Sequence, residues 1–415
     1  MFALYHRFKI RYTRFKRIQC TMQPKSKIVL STLDREKEEC FMHRYFAVII
    51  VCLFMLMQCN QAYAQKKSKT KVTPSSNGQS KSPAPASSIS GQAQKDKAGQ
   101  IKVAPELKPG PLLDSAQLLI QPTFTSLLDA LPRAEKVYKL RLDENNLTTL
   151  PATIGQLVNL QELSLDRNLL TTLPPEIGKL TNLQVLVLDK NKIKRLPREI
   201  MNLRNLQKLY LNNYNQIEES DDTTPGEELR MLWAGIDSLT KLETLGLGGN
   251  KFKEVPPAIA KIKSIRHLYI NDNNLSELPS SIASLEHLEH LDVSNNQLKA
   301  LPEVIGRLKT LQILDCRLNS LLKVPTEIGG CAGLIELDLG FNLLKELPDE
   351  IGNLKNLEKV NISNNRLTTL PATIEKWEKL KKLKMTDNSF KDDAYISALC
   401  RKLPRKASID RDIKK

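Results

Sequence analysis

The chain has 415 residues, of which 41% are hydrophobic and 5% aromatic, and its formal net charge is +16. Most of this charge precedes the long C-terminal part: residues 1–110 hold 20 Lys and Arg against 6 Asp and Glu, whereas residues 111–415 hold 42 against 40. A nucleic-acid-binding domain carries its basic residues on a folded face, so this distribution argues against nucleic acid as a partner.

The first predicted element is a secretory signal peptide over residues 42–64, which follows a basic upstream segment, residues 1–41. Arg44 supplies the positive start, Tyr45–Met57 is an unbroken apolar run of 13 residues, and residues 62–64 form an A-x-A cleavage site. An apolar run of this length is too short to cross a bilayer, which needs about 20 residues. We therefore predict export to the periplasm, the cell envelope or the exterior, with no stable membrane span after cleavage.

Three points about this N-terminal region stay open. Translation begins at Met1 or at Met42, and in the second case residues 1–41 are not part of the protein. The apolar run is either cleaved or retained as an anchor or buried segment, and Cys59 carries a lipid only if the residues before it serve as a lipoprotein box. Without a leader the protein would be cytoplasmic.

A disordered linker is predicted over residues 65–110, and an N-terminal cap of the folded domain over residues 111–136. The linker is rich in Ser, Lys, Gln, Pro and Gly and has no aromatic residue, so it cannot bury enough apolar surface to offset the entropy of ordering. In the cap, Thr125 or Ser126 precedes a leucine pattern that Pro132 ends, which is typical of a short capped helix.

A 23-residue unit then fills residues 137–390, and the copy from Leu288 to Thr310 shows it well. With Leu288 as position 1, aliphatic residues occupy positions 4, 6, 11, 14, 18 and 21, Asn296 occupies position 9 and Pro302 position 15. The alternation at positions 4 and 6 predicts a short strand. The asparagine predicts a turn whose buried backbone groups its amide can pair, and the proline predicts an irregular outer return segment.

About eleven such units follow one another. Position 1 falls at Val137, Leu160, Leu183, Leu206, Leu242, Ile265, Leu288, Leu311, Leu334, Leu357 and Leu380. Position 9 is asparagine, displaced to Asn215 in the fourth unit and otherwise at Asn145, Asn168, Asn191, Asn250, Asn273, Asn296, Asn319, Asn342, Asn365 and Asn388. Position 15 is proline at Pro151, Pro174, Pro197, Pro256, Pro279, Pro302, Pro325, Pro348 and Pro371. Stacked copies of such a unit form a parallel sheet over one continuous core.

This pattern resembles leucine-rich repeat proteins of the 23-residue LxxLxLxxNxLxxLPxxIxxLxx subtype. That subtype occurs in Ras-binding scaffold proteins, in plant Ras-group-related proteins and in many bacterial proteins. The resemblance covers about residues 137–390. It implies an α/β repeat solenoid, a horseshoe with a concave parallel β-sheet and short caps, and generally a protein-binding role. Together with the leader it favours an exported bacterial member.

Two segments depart from the repeat. The fourth unit, from Leu206 to Leu242, has 13 extra residues. An acidic run, a Thr-Pro-Gly-Glu capping box and leucines at helical spacing predict an inserted loop and helix over residues 218–235. This insertion either offers a partner surface or packs against the core. Residues 391–415 predict a closing helix around Tyr395–Leu399 and then a basic tail.

No constellation of catalytic or metal-binding residues is visible, so we predict no enzyme, no cofactor and no metal site. Cys316 and Cys331 fall at core positions 6 and 21 and are interpreted as small buried hydrophobes. No CxxC pair indicates structural zinc. His267 and His290 share position 3 of adjacent repeats but lack a third ligand. The glycines of residues 245–250 end a strand and do not form a phosphate loop.

Variable residues at positions 3, 5, 7 and 8 are predicted to line the concave sheet. The candidate ligand-binding residues among them are Tyr210, His267, Tyr269, His290, Asp292, Asp315, Arg317, Asp338 and Phe341.

Three of these candidates, Asp292, Asp315 and Asp338, share position 5. Their carboxylates therefore stand about 4.8 Å apart, the spacing of neighbouring strands. They repel one another unless they are solvated or countered, and Arg317 is the nearest counter-ion. The column either recognises a basic or polar partner, with the flanking aromatic residues as hot spots, or is simply a solvated sheet face.

The sequence thus predicts a monomeric, non-enzymatic binding module that recognises a protein, peptide or glycan through its concave sheet. The alternative is an intracellular signalling scaffold similar to the Ras-group relatives, in which residues 1–64 are something other than a leader. The repeated leucines are the same in every copy, so they do not encode the identity of the partner.

Overall fold

The computed structural model describes residues 108–193, 196–212 and 235–411. All described residues belong to one compact unit. The predicted upstream segment and signal peptide, the linker up to residue 107 and the insertion up to residue 234 lie outside the described residues.

The described residues form one parallel sheet of thirteen strands, in which each strand pairs with the next one along the chain. The strands are β1 (Thr123–Phe124), β2 (Lys139–Arg141), β3 (Glu162–Ser164), β4 (Val185–Val187), β5 (Lys208–Tyr210), β6 (Thr244–Gly246), β7 (His267–Tyr269), β8 (His290–Asp292), β9 (Ile313–Asp315), β10 (Glu336–Asp338), β11 (Lys359–Asn361), β12 (Lys382–Lys384) and β13 (Ser408–Asp410). From β2 to β12, each strand occupies positions 3 to 5 of a repeat. The predicted repeat solenoid with a parallel sheet is therefore confirmed.

The core lies behind the sheet and consists of the repeated aliphatic positions. In the unit that starts at Leu288, all seven of these side chains are buried: Leu288, Leu291, Val293, Leu298, Leu301, Ile305 and Leu308. Each contributes on the order of 1.5–3 kcal/mol relative to exposure. A single repeat has nothing to bury them against, so stability accumulates only when copies stack. Cys316 and Cys331 lie in the same core slots and are fully buried, as predicted.

A short 3₁₀ helix forms the return segment of each repeat, and position 15 precedes most of these helices. Pro302, for example, has φ −69° and ψ 145°, an extended conformation that its ring favours. The sequence predicted an irregular segment here, whereas the structure has regular 3₁₀ turns: η1 (Leu131–Lys136), η2 (Ala152–Gln156), η3 (Pro175–Lys179), η4 (Arg198–Asn202), η5 (Ile236–Ser238), η6 (Pro257–Lys261), η7 (Ser280–Ser284), η8 (Glu303–Arg307), η9 (Thr326–Gly330), η10 (Asp349–Asn353) and η11 (Ala372–Lys376).

Adjacent return segments pack closely because several repeats carry a glycine at position 19. A Cβ atom added to Gly306 in η8 would collide with the carbonyl oxygen of Glu327 in η9. The same holds for Gly329 against Glu350 in η10, at 2.6 Å. The backbone of one 3₁₀ helix thus rests directly on the next.

Short elements outside the repeats close both ends of the sheet. At the N-terminal end, α1 (Ser115–Leu119) and α2 (Leu127–Ala130) precede β2. Ser126, one of the two residues predicted to cap a helix here, accepts a hydrogen bond from Asp129 N at 3.4 Å. At the C-terminal end, α3 (Asp393–Lys402) contains the predicted closing helix. The sequence predicted only a basic tail after this helix. Part of that tail forms β13, which pairs with β12 and covers its edge.

The asparagine at position 9 bonds to two repeats at once. Asn296 donates from Nδ2 to the carbonyl oxygens of Val293 in its own turn and of Ile270 in the preceding repeat, each at 3.0 Å. Its Oδ1 accepts from Leu275 N, also in the preceding repeat, at 3.0 Å. We call this series the asparagine ladder; it recurs at Asn168, Asn191, Asn273, Asn319, Asn342, Asn365 and Asn388.

Asn250, the ladder residue that follows the insertion, makes fewer bonds with the described residues than Asn296 does. Asn250 donates to the carbonyl oxygens of Leu211 and Leu247 at 2.9 and 2.8 Å. Its buried Oδ1 has no hydrogen-bond partner among the described residues. The sequence predicted that each asparagine amide would bond to backbone groups of its own turn. The structure shows that the ladder asparagines also bond to backbone groups of the preceding repeat.

Candidate functional site

The candidate binding residues lie on the side of the sheet opposite the core. We call this side the exposed sheet face and define it as positions 3 and 5 of the strands, with positions 7 and 8 at its rim. Position 4 points into the core, so that Leu291 is buried while its neighbours His290 and Asp292 are partly exposed. Variation at positions 3 and 5 therefore changes the surface without disturbing the core.

Three aspartates form an acidic column across this face. Asp292, Asp315 and Asp338 lie directly beside one another on β8, β9 and β10. Each carboxylate accepts a hydrogen bond from the backbone N–H two residues further along, at 2.9, 3.0 and 2.9 Å. Asn361 continues the column and donates from Nδ2 to Asp338 Oδ1 at 2.9 Å. The sequence predicted the column but not these backbone bonds, which give each carboxylate a role in shaping its turn.

The central carboxyl of the column, Asp315, is the most perturbed. Burial raises its pKa to about 6, and Asp292 and Asp338 act in the same direction, while the backbone N–H and the guanidinium of Arg317 oppose the shift. Asp315 Oδ2 lies 3.3 Å from Arg317 Nε, so Arg317 is its counter-ion. The charge of the column consequently changes near pH 6.

Tyr269, His267 and His290 form an aromatic group beside the column. The Tyr269 hydroxyl lies 3.3 Å from His290 Nδ1, and the two rings meet edge to face with their centroids 4.9 Å apart. The centroids of His267 and His290 are 6.4 Å apart. Burial lowers the pKa of His290, although the charge of Asp292 opposes this. A neutral imidazole ring is therefore favoured near pH 7.

Tyr210 stands apart from this aromatic group. It lies on β5 and pairs in register with Gly246 on β6, which in turn pairs with Tyr269 on β7. A strand without a side chain at position 5 thus separates the two tyrosines. Burial is the main cause that raises the pKa of both phenols, so both remain protonated hydrogen-bond donors at neutral pH.

A left-handed backbone conformation recurs at position 8, and the sequence did not predict it. The residues there are mostly polar or glycine: Glu144, Arg167, Lys190, Gly249, Asp272, Asn295, Asn364 and Asp387. Two adjacent repeats instead place Leu318 and Phe341 there, each with φ 55°. The two side chains are 46% and 51% exposed.

Phe341 was among the predicted candidates, and it lies in the turn at the rim of the exposed sheet face, because position 8 follows the end of the strand. Leu318 was not among the candidates. The sequence did contain a signal for Leu318, because it is an apolar residue at position 8, where the described repeats other than those of Leu318 and Phe341 have a polar residue or glycine.

The described cysteines are suited to packing rather than to nucleophilic chemistry. Cys316, Cys331 and Cys400 are free thiols, and burial raises the pKa of each, that of Cys331 to about 11. A reactive cysteine needs the thiolate form. Within the described ranges, no group of three or more His, Cys, Asp or Glu could hold a metal ion. In the same part of the chain, no helix is both long and apolar enough to cross a membrane.

Asp315→Asn should stabilise the protein at neutral pH and lose this advantage in acid. The folded pKa of about 6 exceeds the ordinary value of 3.8, so ionising Asp315 opposes folding fully above about pH 6 and not at all below about pH 4. Asparagine keeps the acceptor for Arg317 N and removes the charge. Urea unfolding from pH 4 to 8 measures the difference. Glu303→Gln, an exposed change on the return segment, should show no such trend, and a pH-independent effect of Asp315→Asn would contradict the account.

Family profiles match the repeats directly. A profile described as "Leucine-rich repeat region" matches residues 134–233 and 229–320, and one described as "Leucine rich repeat" matches residues 332–390. No curated protein sequence matches the chain.

Several solved structures are similar to this chain. A leucine-rich repeat protein of Leptospira interrogans is 29% identical, over 70% of this chain and 100% of its own, with a TM-score of 0.43. The ectodomain of the Arabidopsis thaliana receptor kinase GASSHO1/SCHENGEN3, solved in complex with CASPARIAN STRIP INTEGRITY FACTOR 2, is 24% identical over 70% of this chain and 40% of its own, with a TM-score of 0.49. An internalin of Listeria monocytogenes is 21% identical over 69% and 89%, with a TM-score of 0.44.

The profile matches span the repeats, and the described residues build the sheet and core that such repeats require. The chain is therefore a leucine-rich repeat protein.

Proposed function

We propose that the exposed sheet face binds a partner protein and that the repeats serve as its rigid, non-enzymatic support. Leucine-rich repeats are a protein-binding module, and one observation carries the proposal for this chain: the pair Leu318 and Phe341. The two stand in adjacent repeats whose turns are bonded together, with Leu318 N donating to Gly340 O at 3.0 Å and Asn319 N donating to Phe341 O at 3.2 Å. Together they form an apolar patch at the rim of the exposed sheet face.

The scaffold gains nothing from large apolar side chains at position 8. A left-handed conformation costs a residue with a Cβ atom roughly 1–2 kcal/mol, and glycine and asparagine tolerate it best. Half-exposed side chains also return little hydrophobic stabilisation. The left-handed conformation is shared by position 8 of the other described repeats, so what distinguishes these two residues is their apolar side chains, and exposed aromatic side chains are common hot spots of protein interfaces. Leu318 and Phe341 are best explained by a partner that covers them.

The neighbours of this pair indicate what the partner presents. Asp315 and Asp338 occupy position 5 of the same two repeats, and Arg317 lies between the acidic column and the rim. A partner with an apolar side chain next to a basic one would match both features. A nucleic acid would meet the acidic column with its own negative charge, and a glycan would cover the two apolar side chains poorly.

Leu318→Asn and Phe341→Asn together should abolish most of the binding without destabilising the domain. Asparagine suits the left-handed turn, so the free energy of unfolding should stay level or rise by about 1 kcal/mol. Affinity should fall at least about tenfold, which corresponds to losing ~1.4 kcal/mol at a hot spot. A photo-crosslinking residue in place of Phe341 in the full chain first identifies the partner in the native cell, and binding is then measured with the purified partner.

Leu128→Asn is the matched control for this test. Leu128 lies on α2, away from the exposed sheet face, and is 81% exposed, so its replacement removes apolar surface elsewhere on the molecule. Its affinity for the partner should equal that of the wild type. An equal loss in both variants, or a crosslinker at residue 341 that captures no protein, would show that this face is not the binding site.

We further propose that the module is exported, because residues 42–64 have the layout of a signal peptide. The intracellular scaffold similar to the Ras-group relatives is the alternative, and it would use the same face in another compartment. N-terminal sequencing of the protein purified from its native cell should find Gln65 as the first residue. A protein that begins at Met1 would contradict export by this leader.

A further inference from the structure

A cleft lies on the exposed sheet face at some distance along the repeats from Leu318 and Phe341. Its volume is about 450 Å³, within the range of roughly 300–1,000 Å³ that is typical of ligand pockets. It follows position 7 of five successive repeats, and its lining residues are Asp166, Asp189, Lys190, Tyr210, Asn212, Gly248, Tyr269, Asn271 and Asp272.

Two glycines on β6 and in the turn after it shape the floor of this cleft. Gly246 lies between Tyr210 and Tyr269 in the register of the sheet, so the two tyrosines start about 10 Å apart, twice the strand spacing. A Cβ atom at Gly246 would lie 2.8 Å from Asn212 Nδ2. One at Gly248 would lie 2.7 Å from Asn271 Oδ1. Any larger residue at either position would displace the side chains that line the cleft.

Asp189 is a carboxylate at the cleft that makes no ion pair among the described residues. Its side chain accepts from the neutral Asn212, at 2.7 Å from the backbone N and 3.3 Å from Nδ2. Burial raises its pKa despite these bonds. The buried Oδ1 of Asp166 has no hydrogen-bond partner among the described residues, while its Oδ2 lies 3.5 Å from Arg167 Nε. Asp272 is bonded to the side-chain amide of Asn271 at 2.5 Å.

The tyrosines add a second kind of attraction for a cation. Aromatic faces attract a guanidinium or ammonium group, most strongly where water is partly excluded, and Tyr210 and Tyr269 are both partly buried at the cleft. Arginine suits such a setting better than lysine, because its flat guanidinium can stack on a ring and bond to a carboxylate at the same time.

We propose that this cleft takes one arginine side chain of the partner protein, with Asp189 as its main charge partner and Tyr210 and Tyr269 as its walls. The inference rests on the proposed protein-binding function and adds an anchor point to it. Charge complementarity selects the occupant: the lining holds three carboxylates against the single Lys190, so an acidic segment would be repelled. A metal ion is a poorer fit, because no group of three or more ligating side chains is assembled in the described residues.

The test uses N-acetyl-arginine amide as the probe and N-acetyl-citrulline amide, which has nearly the same shape but no charge, as its control. Each is titrated into the full chain, and backbone amide shifts are followed by NMR. Gly248 and Asn271 should shift and saturate with the arginine compound only. Asp189→Asn should weaken this binding by about tenfold or more, because a charge-assisted bond is lost. Glu303→Gln, which removes one exposed negative charge from the return segment outside the sheet face, should leave it within about twofold.

Equal shifts with both compounds, no saturable shift with arginine, or equal losses in Asp189→Asn and Glu303→Gln would each overturn the arginine site. The comparison of the two compounds uses the wild-type protein, so it does not depend on whether a variant folds. If the arginine test fails but Leu318→Asn and Phe341→Asn together still weaken binding of the purified partner, the proposed function stands. Failure of both experiments would reject binding by the exposed sheet face altogether.

Discussion

The hydrogen bonds of the asparagine ladder are the constraint on which the rest of the structure depends. The strands β2 to β12 are only three residues long, and the chain turns sharply at position 9, which buries backbone groups that no strand partner can reach. The amide of Asn296 pairs such groups in its own turn and in the turn before it. Leaving buried polar groups unpaired costs about 1–3 kcal/mol each. Leucines supply most of the burial, but they are non-directional, and the asparagines fix how one repeat sits on the next.

This division of roles confines functional variation to a few positions. The core and ladder positions carry similar residues in most repeats, so the proposed recognition would rest on the variable positions 3, 5, 7 and 8. The informative residues there are the ones that the scaffold does not need. Leu318 and Phe341 occupy a turn that favours asparagine or glycine, and Gly246 interrupts a row of side chains on the sheet. Local departures from the rules of a fold are where function is expected.

The spacing of the leucines, asparagines and prolines was enough to predict the fold, because a fixed period of core positions admits few architectures. It also placed Cys316 and Cys331 in the core and Arg317 beside Asp315. The left-handed turn at position 8 was missed because its conformation is imposed by bonds to the neighbouring repeat rather than by the residue itself. The strand β13 was missed because its only signal is the open edge of β12 that it covers.

The cleft could not be predicted for a related reason. Gly246 and Gly248 were considered only as parts of a phosphate loop, which they do not form. Their effect depends on Tyr210 and Tyr269, which lie in the repeats on either side, and on Asp189, which lies more than fifty residues away in the sequence. The cleft depends on how these side chains meet in three dimensions, with Tyr210 beside Gly246 in the pairing of β5 with β6 across the insertion.

The central claim is that each asparagine of the ladder holds two repeats together, and urea unfolding of three variants tests it most directly. Asn296→Ala should lower the free energy of unfolding by about 2–4 kcal/mol, because several buried backbone groups lose their partners. Asn250→Ala should cost about half as much, since its Oδ1 has no partner among the described residues. Asn356→Ala, which loses two exposed bonds, one to Ala332 O and one from Lys379 Nζ, should cost less than about 1 kcal/mol. Equal losses in all three variants would contradict the account.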